Sequence, residues 1–426
     1  MTTAMARARF RRGSTYVLVL GLSAIIMTMA LGALALARIQ ARQGRGTADV
    51  VHARLAASAA VEIARLIVKT DPNWRTNYPN GTWASGVPVG GGTGTLQAVD
   101  PGDGNLADDP LEAVVLTGTG ARGVATQKIQ VTLLAQARAY GCLQTALHAG
   151  HDVILSSCTV QCDQTLSANH NVAASSASVH AAAEAVDRVS GDTYYGTTTE
   201  GVDARSMPGA ATVLSEYQGR GVAIPYSAIP WNDGMREIDE AIFSPAHNPY
   251  WPYTTDPEGI YVIQCAGNDI RIRDSRIVGT LVLMDAGANT RMEGAVHWQP
   301  AVANYPALLV DGDLTFALDG GVLDEDMENE NFNPSHTPYG GEADSDQVDV
   351  YPSRIEGLVY IEHDVSVASA TVTVRGTVVI GHDLKVEANG LLLFQYDPDL
   401  LNNPPPGFIE RIDMIVSEGS YQRVVD

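Results

Sequence analysis

The stretch IEHDVSVASATVTVRGTVVIGHDLKV, residues 361–386, states one structural unit twice. IEHDVSV (361–367) and IGHDLKV (380–386) each run through His-Asp into an apolar–x–apolar triplet, and Asp364 and Asp383 stand nineteen positions apart. An Asp suits a tight turn because its carboxylate accepts backbone N–H bonds. The triplet behind it reads as a short strand with alternate residues facing a core. Nineteen residues is about one coil of a parallel β-helix, in which no single coil buries its own apolar face and stacking does so. The same unit recurs at AGHDVIL (149–155), AGNDIRI (266–272) and VDGDLTF (310–316), and VGTLVL (278–283) aligns with RGTVVI (375–380). The repeats predict a right-handed parallel β-helix over residues 141–408. Two insertions interrupt it, 187–259 (rich in aromatic residues and proline) and 319–351 (rich in carboxylates). The proline run NNPPPGF (402–408) is expected to stop the stack, with 409–426 a C-terminal tail.

One aspartate per coil, at Asp152, Asp269, Asp313, Asp364 and Asp383, is what turn structure alone demands. Enzymes on this fold cleave polysaccharides with clustered carboxylates, so a carbohydrate-active enzyme is the rival reading. A metal ladder built on the adjacent His151, His363 and His382 is a second alternative. No nucleophile elbow, metalloprotease helix or phosphate loop occurs in the sequence, and the chain reads as a structural protein, not an enzyme. The acidic insertion offers Asp324, Asp326 and Glu328 to calcium, or is simply a solvated loop. The aromatic insertion offers a surface for a polysaccharide or protein ligand, or covers an edge of the solenoid.

Upstream, residues 71–140 read as a small β-rich head. Residues 71–94 look like loops, and strands are expected at 96–99, 111–117 and 126–135, the last being TQKIQVTLLA. Between the first two lies DPGDGNLADD (100–109). Asp100, Asp103, Asn105 and Asp108 carry oxygen at the short spacing a calcium ion accepts, although the EF-hand order is not met. Asx turns capping their own backbone explain the run equally well. No other cofactor is expected. The chain has 49 acidic and 27 basic residues, a net charge of −22, and so acidic a surface excludes nucleic acid as a partner. Four cysteines, Cys142, Cys158, Cys162 and Cys265, lack a zinc pattern and outside the cytoplasm would form one or two disulfides.

The N-terminus sets the compartment. Arg7, Arg9, Arg11 and Arg12 precede Gly13, and residues 14–37, STYVLVLGLSAIIMTMALGALALA, carry no charge. Some 20 such residues cross a bilayer as a helix. Residues 50–69 continue with helical spacing at Val51, Leu55, Ala59, Ile63 and Leu66, after an expected bend or break at Gly44 and Gly46. A plain single-pass anchor and a secretory signal peptide are two readings of this segment. The third is a resemblance. A short basic leader ending in glycine before an apolar helix, with an amphipathic continuation, resembles the type IV pilin and pseudopilin superfamily, particularly its PilX-like minor members. Major pilins carry Glu at the fifth mature position, where this chain has Leu18, which points to a minor component.

The resemblance implies cleavage by a prepilin peptidase between Gly13 and Ser14, giving a leader (1–13) and a membrane-spanning and amphipathic helix (14–70) under a small α+β head. It implies a protein of the bacterial inner membrane with its C-terminal part outside the cytoplasm, partnered by other pilin-like subunits and displayed at the cell surface in a filament, where the solenoid serves adhesion or assembly. An anchored scaffold without a filament role is the remaining alternative.

Overall fold

The computed structural model describes residues 12–191, 193–368, 370–387 and 389–424; most of the leader lies outside them. The chain is mainly β and divides into two units, Met1–Gln136 with Asp413–Asp426, and Ala137–Ile412.

The first unit is built on helix α1, Arg12–Thr70, 59 residues and about 90 Å long at 1.5 Å per residue. It runs unbroken through Gly44 and Gly46, because both glycines sit on an exposed helical stretch among good helix formers. Residues 16–37 carry no charge and are exposed throughout, and the helix is long and apolar enough to cross a membrane. The second half packs on a sheet, but of the stripe the sequence suggests only Ile63 packs against the core under that sheet, and Ala59 is half-buried. The buried face is Ala53, Ala56, Ala57, Ala60, Val61 and Ala64, while Val51, Leu55 and Leu66 point outward at 52%, 59% and 58% exposure. Alanine wins the inner face because the sheet presents glycine there. A Cβ on Gly118 would lie 2.2 Å from the Ala57 carbonyl oxygen, and one on Gly120 would lie 1.9 Å from that of Ala53.

That sheet is antiparallel, in the order β1 (Gly81–Val89), β2 (Gly92–Val99), β3 (Val114–Arg122), β4 (Ala125–Ala139), then Ile409–Val416, with Gln422–Val424 also on β4. β1 occupies the stretch expected to be loop; its Gly and Pro content masks the alternation of Trp83, Val87 and Val89. The expected tail 409–426 supplies two strands instead, since IERIDMIV alternates as an edge strand does. Leu96, Leu116, Val131, Leu133 and Trp74 fill the space between sheet and helix.

The second unit is a three-faced parallel solenoid. On one face Val222–Pro225, Ile260–Asn268, Thr280–Ala286 and Pro306–Gly312 pair in succession, followed by the ends of Arg354–Ile361 and Thr371–Ile380. Thr371–Ile380 then pairs with Leu147–Ala149, near the start of the unit, with Val378 opposite Leu147. The other two faces repeat this join, Leu384 opposite Val153 and Leu391 opposite Thr159. The chain therefore enters the stack in its middle. Residues 147–200 wind outward from the join, residues 201–221 cross back, and residues 222–395 wind in from the far end. The chain leaves the stack after Gln395, ahead of the proline run, but the stack itself goes on; its next coil comes from the start of the unit.

Coils of nineteen residues hold at the join, as in Val365↔Leu384 and Val153↔Val172, and shorten outward through Leu166↔Ala183 and Ala183↔Thr198. Valine, leucine and isoleucine from every coil form one continuous core. Parts of 187–259 belong to the solenoid, because Arg188–Ser190, Thr198–Glu200, Val222–Pro225 and Met235–Ile238 all pair in parallel. The true departure is helix α2, Ala210–Arg220, whose Val213, Leu214 and Tyr217 share a second apolar cluster with Ile260, Val262 and Val282. The other insertion forms a hairpin, Val322–Asp324 with Val350–Pro352. It is pinned by the buried Arg276, whose guanidinium donates to the carbonyls of Phe332, Thr337 and Pro338.

Candidate functional site

The corner between the first two solenoid faces carries the densest chemistry. Parallel stacking brings equivalent turns into a line, and all five repeat aspartates stand on it. Each carboxylate reaches the backbone N–H of its counterpart on the next coil. Asp364 N donates to Asp313 Oδ1 (3.1 Å), Asp383 N to Asp364 Oδ1 (3.2 Å), Asp152 N to Asp383 Oδ1 (3.1 Å) and Asn171 N to Asp152 Oδ1 (3.0 Å). Asp269 does the same for Asn289 N at 2.9 Å. The line runs straight through the non-sequential join, from Asp383 to Asp152.

Histidines run beside it in the order His363, His382, His151, His170, linked by backbone N–H to carbonyl bonds from each to the one before. His363 and His382 stack at 5.7 Å, and His151 and His170 at 4.5 Å. His151 Nδ1 lies 2.7 Å from Asp383 Oδ1, His170 Nδ1 lies 2.7 Å from Asp152 Oδ1, and His170 Nε2 lies 3.1 Å from Asp187 Oδ2. Lys385 bridges Asp364 and Asp383 at 3.0 and 3.2 Å. His170 escapes the repeat reading because Asn171 replaces the aspartate; its one signal is its nineteen-residue distance from His151. His151, Asp152 and His170 offer three ligand atoms within 4.8 Å of one another, as do Asp311, Glu362 and His363, the donor set of a divalent transition metal. In the first group those atoms are already spent on one another.

The hydrogen bond to Asp383 raises the His151 pKa above its ordinary 6.5. Burial pushes the Asp152 and Asp383 carboxyls up, but hydrogen bonds from His170 and His151 outweigh it, and both end below the usual carboxylate range. The signs define a window. The histidine's contribution to folding is complete below 6.5 and is lost as pH rises through its raised value; the carboxylates' contribution holds above 3.8 and is lost as pH falls. The ladder is tightest at mildly acidic pH. The His151 imidazole resonances should titrate with a midpoint above 6.5, and Asp383→Asn should bring it back toward 6.5. A wild-type midpoint at or below 6.5 rules the contact out in solution.

The other candidate residues fall as follows. Gly13 and Ser14 lie at the start of α1. Asp100, Asp103 and Asp108 converge, joined by Glu112, which the sequence reading missed, while Asn105 turns to its own backbone and accepts from Ala107 N. Asp324, Asp326 and Glu328 do not converge, because Asp324 is spent capping Asp326 N at 3.0 Å. The inward carboxylate of that insertion is Glu325, buried and bonded to Phe332 N, Asp349 N and the Tyr351 hydroxyl. The four cysteines form no disulfide; Cys158 and Cys265 face the solenoid core, and Cys142 sits in the cluster under α2. Burial pushes the Cys142 and Cys265 thiols up to about 12.

On the third face a groove of about 670 Å³ is lined by Gln161, Asp163, His180, Arg354, Arg375 and Gln395 among others. Tyr195 stacks on His180 at 4.1 Å. A second hollow of about 400 Å³ shares Arg375 and adds Glu356 and Asp397.

Neither the protein-family models nor the curated proteins contain a match to this sequence. Among solved structures, the competence-associated pilin ComZ from Thermus thermophilus is similar at 11% identity and a TM-score of 0.37, over 88% of this chain and 98% of that one.

Proposed function

We propose that this chain is a membrane-inserted, pilin-like structural protein, a minor subunit that carries a β-solenoid outside the cytoplasm for adhesion or filament assembly. One observation carries the reading: the form of α1. Its first half is an exposed apolar span, and its second half lies under an antiparallel sheet by an alanine face. The outer side of that second half keeps Val51, Leu55 and Leu66 exposed. Exposed apolar side chains in line on a helix mark a surface that packs against another chain, and helices of neighbouring subunits are the partner this reading supplies. The grooved third face of the solenoid, with its guanidinium, amide and aromatic groups, is the surface on which we place a polysaccharide or protein ligand.

The test is the mature N-terminus, sequenced from cells with and without the prepilin peptidase. The expected start is Ser14, present only when the peptidase is. A chain that keeps residues 1–13 in both strains is a plain anchor, and the filament role falls with it.

A further inference from the structure

Loop 100–112 of the head holds two carboxylates that nothing in the fold neutralises. Asp100 is 3% exposed, yet its Oδ2 has no hydrogen-bond partner, and neither has the buried Oε2 of Glu112. Asp100 Oδ1 is engaged, accepting from Gly102 N at 2.7 Å. The nearest cation does not pair with either carboxylate: Arg75 Nη1 donates to the Leu106 carbonyl (3.2 Å) and Nη2 to the Glu112 carbonyl (2.6 Å). Arg75 thus draws the loop closed by its backbone and leaves the acids facing one another. Asp103 and Asp108 complete the group, and one oxygen from each of the four lies within 4.8 Å of all the others. That is the geometry of a single shell: calcium binds oxygen at about 2.4 Å, so two ligands on opposite sides of the ion stand about 4.8 Å apart. Other loop oxygens already bind the backbone, Asp103 Oδ1 taking Asn105 N (2.8 Å) and Asp109 Oδ1 taking Leu111 N (2.7 Å). These turns shape the loop and leave the remaining carboxylate oxygens for a ligand.

We propose that this loop is a calcium site of the head, with Asp100, Asp103, Asp108 and Glu112 as its protein ligands.

The experiment is hydrogen exchange of residues 100–112 in the full chain in detergent, with and without 2 mM calcium, at pH 8. Calcium should slow exchange by about three- to twentyfold, for a site of roughly 0.1–1 mM affinity. Glu112→Gln should abolish the calcium effect yet fold, since its amide can donate to Asp100 as the protonated acid would. Loss of the effect in that variant, with Asp324→Asn unchanged, supports the site. Exchange in the wild type that ignores calcium overturns it. Equal protection by magnesium overturns the choice of ion.

Discussion

Replacing Gly118 and Gly120 together by valine is expected to dismantle the head while leaving the solenoid folded. The backbone of α1 approaches β3 so closely that a Cβ at either position would fall 1.9–2.2 Å from a helix carbonyl oxygen, where van der Waals contact needs more than 3 Å. No rotamer relieves this, because the obstacle is backbone on both sides. The helix would have to lift by more than 1 Å, opening the apolar layer of Ala57, Ala60, Val61, Leu96 and Leu116. Overpacking costs ~1–3 kcal/mol for a single substitution, and two rigid clashes on one contact line approach the whole ~5–15 kcal/mol stability of a domain. Calorimetry should show the head transition lost and the solenoid transition in place, with proteolysis spreading through residues 71–136. The control is Gly44→Ala with Gly46→Ala, where added methyl groups meet nothing within 4 Å. These should stabilise the helix by ~0.5–1 kcal/mol each. A head transition that survives both valines would mean the helix does not lie on this sheet.

The same glycines explain what the sequence did not disclose. A helix stripe is found by looking for large apolar residues, and on α1 those are Val51, Leu55 and Leu66, which face outward. The inner face is alanine, and its meaning depends on glycines some sixty residues away. The solenoid was readable for the opposite reason. The aspartate turn and the apolar–x–apolar triplet are local, so Asp364 and Asp383 measure a coil without knowledge of its neighbours. Which coil stacks on which is not local information. The aspartates at 152 and 383 carry identical turn chemistry whether they are adjacent or far apart, and only the structure places one N–H on the other's carboxylate at 3.1 Å. Of the calcium candidates, Asp100, Asp103 and Asp108 were legible as a short-spaced acidic run, whereas Glu112 lay beyond the proline of that run and joins them through the loop's closure by Arg75.

The non-sequential join makes the second large prediction. Leu147→Asp should split the solenoid into two arms. Leu147 is 1% exposed and sits between Val378 on one side and Leu166 on the other, within the main apolar core. A carboxylate there has no cation to meet. The neighbouring His148 cannot serve, since burial pushes its pKa down to about 3, and its Nδ1 is engaged with Ser167 Oγ at 2.6 Å. An unpaired buried charge costs several kcal/mol, concentrated at the one interface that residues 147–200 share with the rest of the stack. Their release would uncover the paired edges of Thr371–Ile380, Leu384–Val386 and Leu391–Gln395, and open edges of parallel sheet recruit one another. The expected result is fast hydrogen exchange over 141–200 and loss of protection along Thr371–Ile380, with self-association that grows with concentration. Thr198→Asp, on an exposed strand at the outer end of the same arm, should cost under ~1 kcal/mol and leave a monomer. In a stack that followed chain order, Leu147 would belong to a terminal coil with Leu166 as its only neighbour. The substitution would then fray one end and leave Thr371–Ile380 covered, so protection of that strand against exchange in Leu147→Asp decides between the two arrangements.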